Sequence, residues 1–426
     1  MMTIKQSRRF SYAVACSIAL VMLAGQPTSA QQTRTPAADD RALVEQLLKR
    51  VEELEQQVKA LQQSERGAPA DASRSAESAT TVGLSGSTQG SGDMRDVIAP
   101  AGLGALQIRG FSDLDFHAAQ AGDQPNTFSL GQLDLFLSSR LGTDFSTVGE
   151  VVFEAGENNA IGIDVERILL QYSPSDMFNV AAGRYHTGIG YYNAAYHHGN
   201  WFQTAIGRPF IFRFEDDGGI LPVHGVGLTA QGRIPSGGAG LRYLAEISNG
   251  RGTRLPGDEP VQNVVDENGG KAVNLALLAR PAWLPGMQAG FSVYRDRLRP
   301  AQAPSIAETI MAAHVVYQSP VFEQLNEAIF IRHAPADASR VTTTTSAYSQ
   351  ISRQFGRYRP YFRYEYLDVP AMDGVFGDDI GRLYGPSLGL KYDAAAPVAL
   401  KVQYDRLAGR ARNRTNGLTA QLAFTF

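Results

Sequence analysis

The sequence predicts an all-β fold, a transmembrane antiparallel β-barrel of about 16 strands behind a short N-terminal coiled-coil helix. Three observations lead there. From residue 105 onward, apolar and polar side chains alternate in segment after segment. The links between those segments alternate between tight and long. The chain also stops on such a segment, Gly417–Phe426, with an aromatic as its last residue. A strand has a side-chain period of two, so this pattern gives each ribbon one apolar and one polar face. A terminal strand with a bare edge is a hazard in water, so Gly417–Phe426 needs a partner within the chain.

The alternating segments begin with Leu106–His117, Phe128–Leu141, Ser146–Ala155, Ile161–Tyr172, Phe178–His186, Gly225–Arg233, Gly240–Ser248 and Ala272–Arg280. Met287–Asp296, Thr309–Tyr317, Gln324–Arg332, Thr345–Arg353, Pro360–Leu367, Ser387–Asp393, Val398–Asp405 and Gly417–Phe426 follow. Each is near the roughly 9–11 residues that a tilted membrane strand needs. Tight links such as Leu141–Asp144, Ser173–Asp176 and Ala394–Pro397 alternate with long ones such as Ala118–Asn126, Asn249–Gly270 and Asp368–Gly385. Short turns on one rim and long loops on the other mark an outer-membrane barrel. Closing Gly417–Phe426 onto Leu106–His117 leaves no free edge. Leu418, Leu422 and Phe424 then face lipid, and Thr419, Gln421 and Thr425 face the lumen.

The residues before the barrel divide into three. Residues 1–30 carry Lys5, Arg8 and Arg9, an apolar run over Phe10–Gly25, and Thr28-Ser29-Ala30, the plan of a secretory signal peptide. Residues 39–65 place Val44, Leu47, Val51, Leu54, Val58 and Leu61 at coiled-coil spacing, so a self-associating periplasmic arm is expected. Residues 66–104 are rich in Gly, Ser, Ala and Thr and read as a flexible tether. The barrel then occupies 105–426.

Bulk composition narrows the function. Without residues 1–30 the chain keeps 36 Lys and Arg against 42 Asp and Glu, which does not suit nucleic acid. The sole cysteine, Cys16, lies in the leader, so cysteine catalysis, thiolate metal sites and disulfides are excluded from the exported protein. No cofactor is expected. The chain carries 43 glycines, which suits many strands and turns.

Signal peptide, short coiled coil, tether, roughly sixteen strands and final Phe together resemble the Gram-negative porins grouped with the phosphate-selective (O/P-type) porins. The stretch from Ala181 through Gly183-Arg184-Tyr185 to Gly218-Gly219-Ile220-Leu221-Pro222 is similar in layout to that family's fifth strand and following loop. The resemblance implies a homotrimer in outer-membrane lipid and a C-terminal Phe426 read by the barrel-assembly machinery. It also implies a third outward loop that forms the pore constriction. The family's concentrated lysines and arginines are missing, so a general path for small polar solutes is expected rather than a phosphate channel.

The third long link, Gly188–Gly219, holds Tyr191, Tyr192, Tyr196, His197, His198, Trp201, Phe202, Arg208, Arg213, Glu215, Asp216 and Asp217. So many rings would expose a large apolar area on an outer surface, so the loop is expected to fold inward and narrow the pore. Arg208 and Arg213 are expected to face Glu215, Asp216 and Asp217 or the wall acids Asp113, Asp115, Asp134, Glu150, Glu154, Asp164 and Glu166. Wall cations Arg109, Arg140, Arg184, Arg233, Arg242, Arg363 and Lys401 would supply the opposite side, since rings of charge set ion preference. His186, His197, His198 and His224 lie in or beside the loop. The adjacent pair His197-His198 is a poor chelate, so these are expected to be pore-lining polar groups, not metal ligands. The competing classes are a barrel enzyme of lipase or protease type and a non-conducting structural barrel.

Overall fold

A computed structural model describes residues 104–118, 126–155, 160–196, 199–215, 218–252, 264–300, 304–337, 340–376, 380–409 and 415–426. The expected leader, coiled coil and tether over residues 1–103 lie outside the described residues. Among those described, sixteen strands close into one antiparallel barrel, each bonded to its sequence neighbours and β1 to β16. The first half comprises β1 (Gln107–Ala118), β2 (Thr127–Arg140), β3 (Phe145–Ala155), β4 (Ile161–Ser175), β5 (Phe178–His186), β6 (His224–Arg233), β7 (Leu241–Asn249) and β8 (Lys271–Ala279). The second comprises β9 (Met287–Leu298), β10 (Ile306–Gln318), β11 (Phe322–Pro335), β12 (Thr342–Arg353), β13 (Tyr358–Asp368), β14 (Arg382–Ala395), β15 (Val398–Gly409) and β16 (Thr415–Thr425).

The closing seam runs in register from Phe111 opposite Thr425 to Ala118 opposite Leu418. Beyond it Phe426 exchanges backbone bonds with Gly110, N–H to O at 3.0 Å and O to N–H at 2.9 Å. No edge is left, which is the condition for a sheet in lipid. The outward positions carry exposed Ile161, Ile163, Val165, Ile168 and Leu170 on β4, Leu275 and Leu277 on β8, and Leu400 and Val402 on β15. Such a belt is tolerable only against hydrocarbon, so the barrel is one that sits in a membrane.

The inward face departs from simple alternation of oil outside and water inside. On β10 it reads Ile306, Glu308, Ile310, Ala312, His314 and Val316, and on β11 Glu323, Leu325, Glu327, Ile329, Ile331 and His333, all buried. Apolar residues on a lumen wall need something to cover them. The third long link supplies the cover.

At the long-loop rim a network ties the upper wall together. Arg251 donates to Glu308, His333 lies between Glu308 at 3.0 Å and Asp373 at 2.8 Å, and Thr342 donates to Asp373 at 2.6 Å. Burial raises the Asp373 carboxyl, but His333, Thr342 and the Phe376 N–H outweigh it and hold it at about 2. An unfolded Asp titrates near 4, so this stabilisation is complete above about pH 4 and is lost as pH falls toward 2. After solvent screening at the rim it is worth about 1–2 kcal/mol. Thermal unfolding in detergent is expected to show that loss in the wild type and not in Asp373→Asn; an equal loss in both would contradict it.

Candidate functional site

The segment between β5 and β6 leaves the wall at Thr187 and returns at Val223, where the Thr187 N–H bonds the Val223 carbonyl at 2.9 Å. It enters through Gly190, whose φ of +75° suits glycine, and a Cβ there would lie 2.6 Å from Glu327 and 2.8 Å from Phe212. A single helical turn (Tyr192–Ala195) and a 3₁₀ turn (Phe210–Phe212) shape the path between.

The loop is fastened to strands all around the inside. The Gly188 N–H bonds both Glu246 oxygens at 3.1 and 3.0 Å on β7. Glu327 on β11 accepts the N–H groups of Tyr191 (2.5 Å) and Tyr192 (2.9 Å) and the Tyr348 hydroxyl (2.6 Å). Tyr196 donates to Glu323 at 3.3 Å, and Tyr191 donates to Gln318. Farther round, the Phe210 N–H bonds Glu365 on β13 at 2.6 Å and the Ile206 N–H bonds Gln403 on β15 at 2.9 Å. Phe202 packs on Phe111 of β1, ring centroids 4.8 Å apart. A loop that touches β7, β11, β13, β15 and β1 lies inside the barrel. It also reaches far down: Trp201 offers its carbonyl to Lys391 (3.1 Å), near the short-turn end of β14.

Apolar burial explains why it stays there. Ile189, Tyr191, Tyr192, Phe210, Ile211, Phe212, Phe214, Ile220 and Leu221 join Ile310, Val316, Leu325, Ile329 and Tyr348 in one buried cluster. Each large side chain so buried contributes about 1.5–3 kcal/mol. Burial pushes the Tyr191, Tyr192 and Tyr196 phenols up, Tyr192 to about 12, so all three are neutral donors.

The cations of the loop and of the wall bond backbone carbonyls and stack on rings. Arg208 is fastened within the loop itself. It donates to the loop carbonyls of Phe212 and Tyr196 (2.6 Å) and to Asn193 Oδ1 (3.2 Å), over the rings of Phe214 (4.2 Å) and Tyr192 (5.4 Å). Five fixed donors beside carbonyl oxygens make it an internal staple. Arg213 lies over Phe210 at 5.2 Å. Arg363 and Lys401, expected to line water, are buried under the loop; Arg363 donates to the Gly207 carbonyl at 2.9 Å and Lys401 to the Asn200 carbonyl at 2.5 Å. Arg363 also pairs with Glu365 at 2.8 Å. The loop's carbonyls occupy these cations because they carry strong acceptors with no other strand to bond.

The seven wall acids expected from the sequence all lie on β1 to β4. Asp113, Asp134, Glu150 and Glu166 are buried on β1 to β4, and Asp115, Glu154 and Asp164 half-buried. Arg167 pairs with Glu150 at 2.5 Å, and Arg184 donates to the Glu166 carbonyl at 3.2 Å. Glu154 accepts from Gln132 at 2.5 Å. Arg109, Arg140 and Arg233 are exposed at the short-turn ends, Arg233 pairing with Asp176 at 2.7 Å, and Arg242 is half-buried near the foot of β7. Burial raises the Glu215 carboxyl, but His224 and the Val223 N–H outweigh that and hold it below its ordinary range. His186 and His224 face each other as a strand pair at the loop's root. His197, His198, Asp216 and Asp217 lie outside the described residues.

Sequence reasoning passed over Glu327, Glu246, Glu365 and Gln403, which hold the loop. A signal existed for Glu327: an acid between inward Leu325 and Ile329 is a lone acceptor on an apolar face, which calls for buried donors.

No family model and no curated protein matches this chain. Solved structures do. One is an anion-selective porin from Comamonas acidovorans, 12% identical, with a TM-score of 0.53 over 76% of this chain and 99% of that one. Another is the outer membrane channel DcaP of Acinetobacter baumannii, 12% identical, TM-score 0.53, over 78% and 100%. A third is the trimer form of the outer membrane protein OmpT of Vibrio cholerae, 11% identical, TM-score 0.51, over 76% and 99%. The fold is that of a porin.

Within this porin fold Arg208 makes a sharp case. As a staple, Arg208→Lys should behave nearly like Arg208→Ala, because the fork and stacking are lost while the charge stays. Charged hydrogen bonds of this kind contribute about 1.5–3 kcal/mol each. Limited proteolysis of the loop in detergent is expected to accelerate in both variants. Wild-type resistance in Arg208→Lys alone would restore the view that only its charge matters.

Proposed function

We propose that this protein is an outer-membrane porin of a Gram-negative bacterium, a passive channel for small hydrophilic solutes or ions. In this reading the loop Gly188–Gly219 is its constriction. The observation that carries it is the loop's attachment to Glu246, Glu327, Glu365 and Gln403, which lays it through a closed barrel without a covalent link. The half-buried acids Asp115, Glu154 and Asp164 on β1, β3 and β4 line the remaining lumen, where side-chain charge sets ion preference. That asymmetry favours cations, because Arg363 and Lys401 are covered.

Within the porins, the layout resembles the O/P-type group, but the covered cations speak against phosphate as the solute. The channel works without catalysis. A homotrimer is supported by the outward face of β10 to β12. There Ser349 donates to Asn326 at 2.8 Å and Gln324 to Asn326 at 2.9 Å, a polar cluster that hydrocarbon does not solvate and a second copy would cover. Phe426 is the assembly signal, and the N-terminal arm is periplasmic.

Planar-bilayer recording of the refolded protein tests the reading. Stepwise conductance in groups of three, with cation preference, is expected. An electrically silent membrane containing folded protein would leave a structural barrel as the answer.

A further inference from the structure

The strand register brings together residues that the sequence holds far apart. His186 ends β5, His224 begins β6, and the two are direct partners across that pair. On the other side of β5, Ile168 pairs with Arg184, and the Arg184 guanidinium donates to the Glu166 carbonyl at 3.2 Å, which keeps Glu166 near the end of β5. One ligand atom from each of Glu166, His186 and His224 lies within 4.8 Å of the other two. All three side chains are largely buried, at 7%, 6% and 5% exposure.

We propose that Glu166, His186 and His224 form a binding site for a divalent transition-metal cation of the zinc class at the root of the inward loop. Two imidazoles and one carboxylate are ligands that such ions take, with metal–ligand bonds of about 2.0–2.1 Å. A tetrahedron of such bonds has edges of about 3.3 Å, so closing from 4.8 Å asks only for small side-chain rotations. His224 is already aimed: its Nδ1 meets Glu215 at 3.4 Å, and Glu215 is held by the Val223 N–H at 2.8 Å. Its Nε2 therefore points to Glu166. A carboxylate behind a ligating imidazole fixes its tautomer and orientation. The Phe214 ring stacks parallel to His224 at 6.3 Å, interplanar angle 12°, and limits its rotation.

A fourth ligand is at hand. Glu150 Oε2 lies 3.6 Å from His186 Nε2, and Arg167 steadies it at 2.5 Å. Three neighbouring strands, β4, β5 and β6, give Glu166, His186 and His224 a rigid framework. The alternative is a set of ion pairs in which protonated imidazoles neutralise the acids and no metal enters. A cation would join the last residue before the loop to the first residue after it.

The untagged full chain, folded in detergent and stripped with EDTA, separates the two. Titration with ZnCl2 is expected to show one site per chain, and Co2+ in its place should give the absorption of a low-symmetry complex. His186→Ala and the isosteric Glu166→Gln are expected to weaken Kd about tenfold or more. Heat-modifiable migration on gels verifies that each variant is a closed barrel. The double variant His197→Ala/His198→Ala should bind as the wild type does. No binding by the wild type, unchanged binding in both His186→Ala and Glu166→Gln, or loss confined to the His197/His198 variant would each overturn the site. Conductance is not part of the readout, so the channel reading can fail while the metal site stands.

Discussion

Glu327→Ala is expected to release the inward loop, raising single-channel conductance and adding open-channel noise. This carboxylate accepts the Tyr191 and Tyr192 N–H groups and the Tyr348 hydroxyl, all buried. Orphaning a buried donor costs about 1–3 kcal/mol, and water admitted by the loosened loop recovers part of it. The net destabilisation should be about 2–5 kcal/mol. Glu327→Gln keeps one acceptor oxygen and the side-chain volume, so it should fall between alanine and wild type. The same carboxylate also holds the entry at Gly190, where a Cβ would meet it at 2.6 Å. Conductance and noise of Glu327→Ala that match the wild type would mean the loop is held by apolar packing alone.

Gly110→Ala is expected to be the most damaging single methyl group at the barrel seam. A Cβ at Gly110 would lie 2.2 Å from the Phe426 ring, so the ring must leave or the last strand must shift. Overpacking of this kind costs about 1–3 kcal/mol. Here it falls on the pair that closes the sheet, so the fraction refolding to a heat-modifiable barrel should drop. Removing the ring tests the cause. In a Phe426→Ala background Gly110→Ala should cost little more, a non-additivity that contacting residues show and distant ones do not. Equal costs in both backgrounds would place the damage elsewhere.

Much of this fold could be read because a strand's period is two and every strand obeys it on its outer face. Phe178–His186 was placed to the residue, and most other boundaries drifted by one to three. Arg382–Ala395 drifted most, because Gly385, with φ of +158°, and Pro386 hide its start. The inner face was harder. Ile310, Leu325 and Ile329 look like positions for lipid, and only the fold shows that the loop covers them from within.

The loop's inward path was legible from its rings, since Tyr191, Tyr192, Tyr196, Trp201 and Phe202 could not all face water. The carbonyl partners of Arg208 and Lys401 were not. Nothing in the local pattern tells that Arg208 donates to the carbonyls of Tyr196 and Phe212. Likewise Lys401 and the Asn200 carbonyl are 201 positions apart. Such pairings depend on which strands the loop crosses, and that is set by barrel closure rather than by local pattern.

One position on the loop puts the central claim to the most direct measurement. Arg213 is half-buried, stacked on Phe210 and far from the seam. With Cys16 replaced by alanine, Arg213→Cys is the only thiol in the chain. A bulky charged thiol reagent added during bilayer recording is expected to cut the current in discrete steps, one for each barrel. Full labelling with unchanged current would place the loop outside the conducting path and contradict the account.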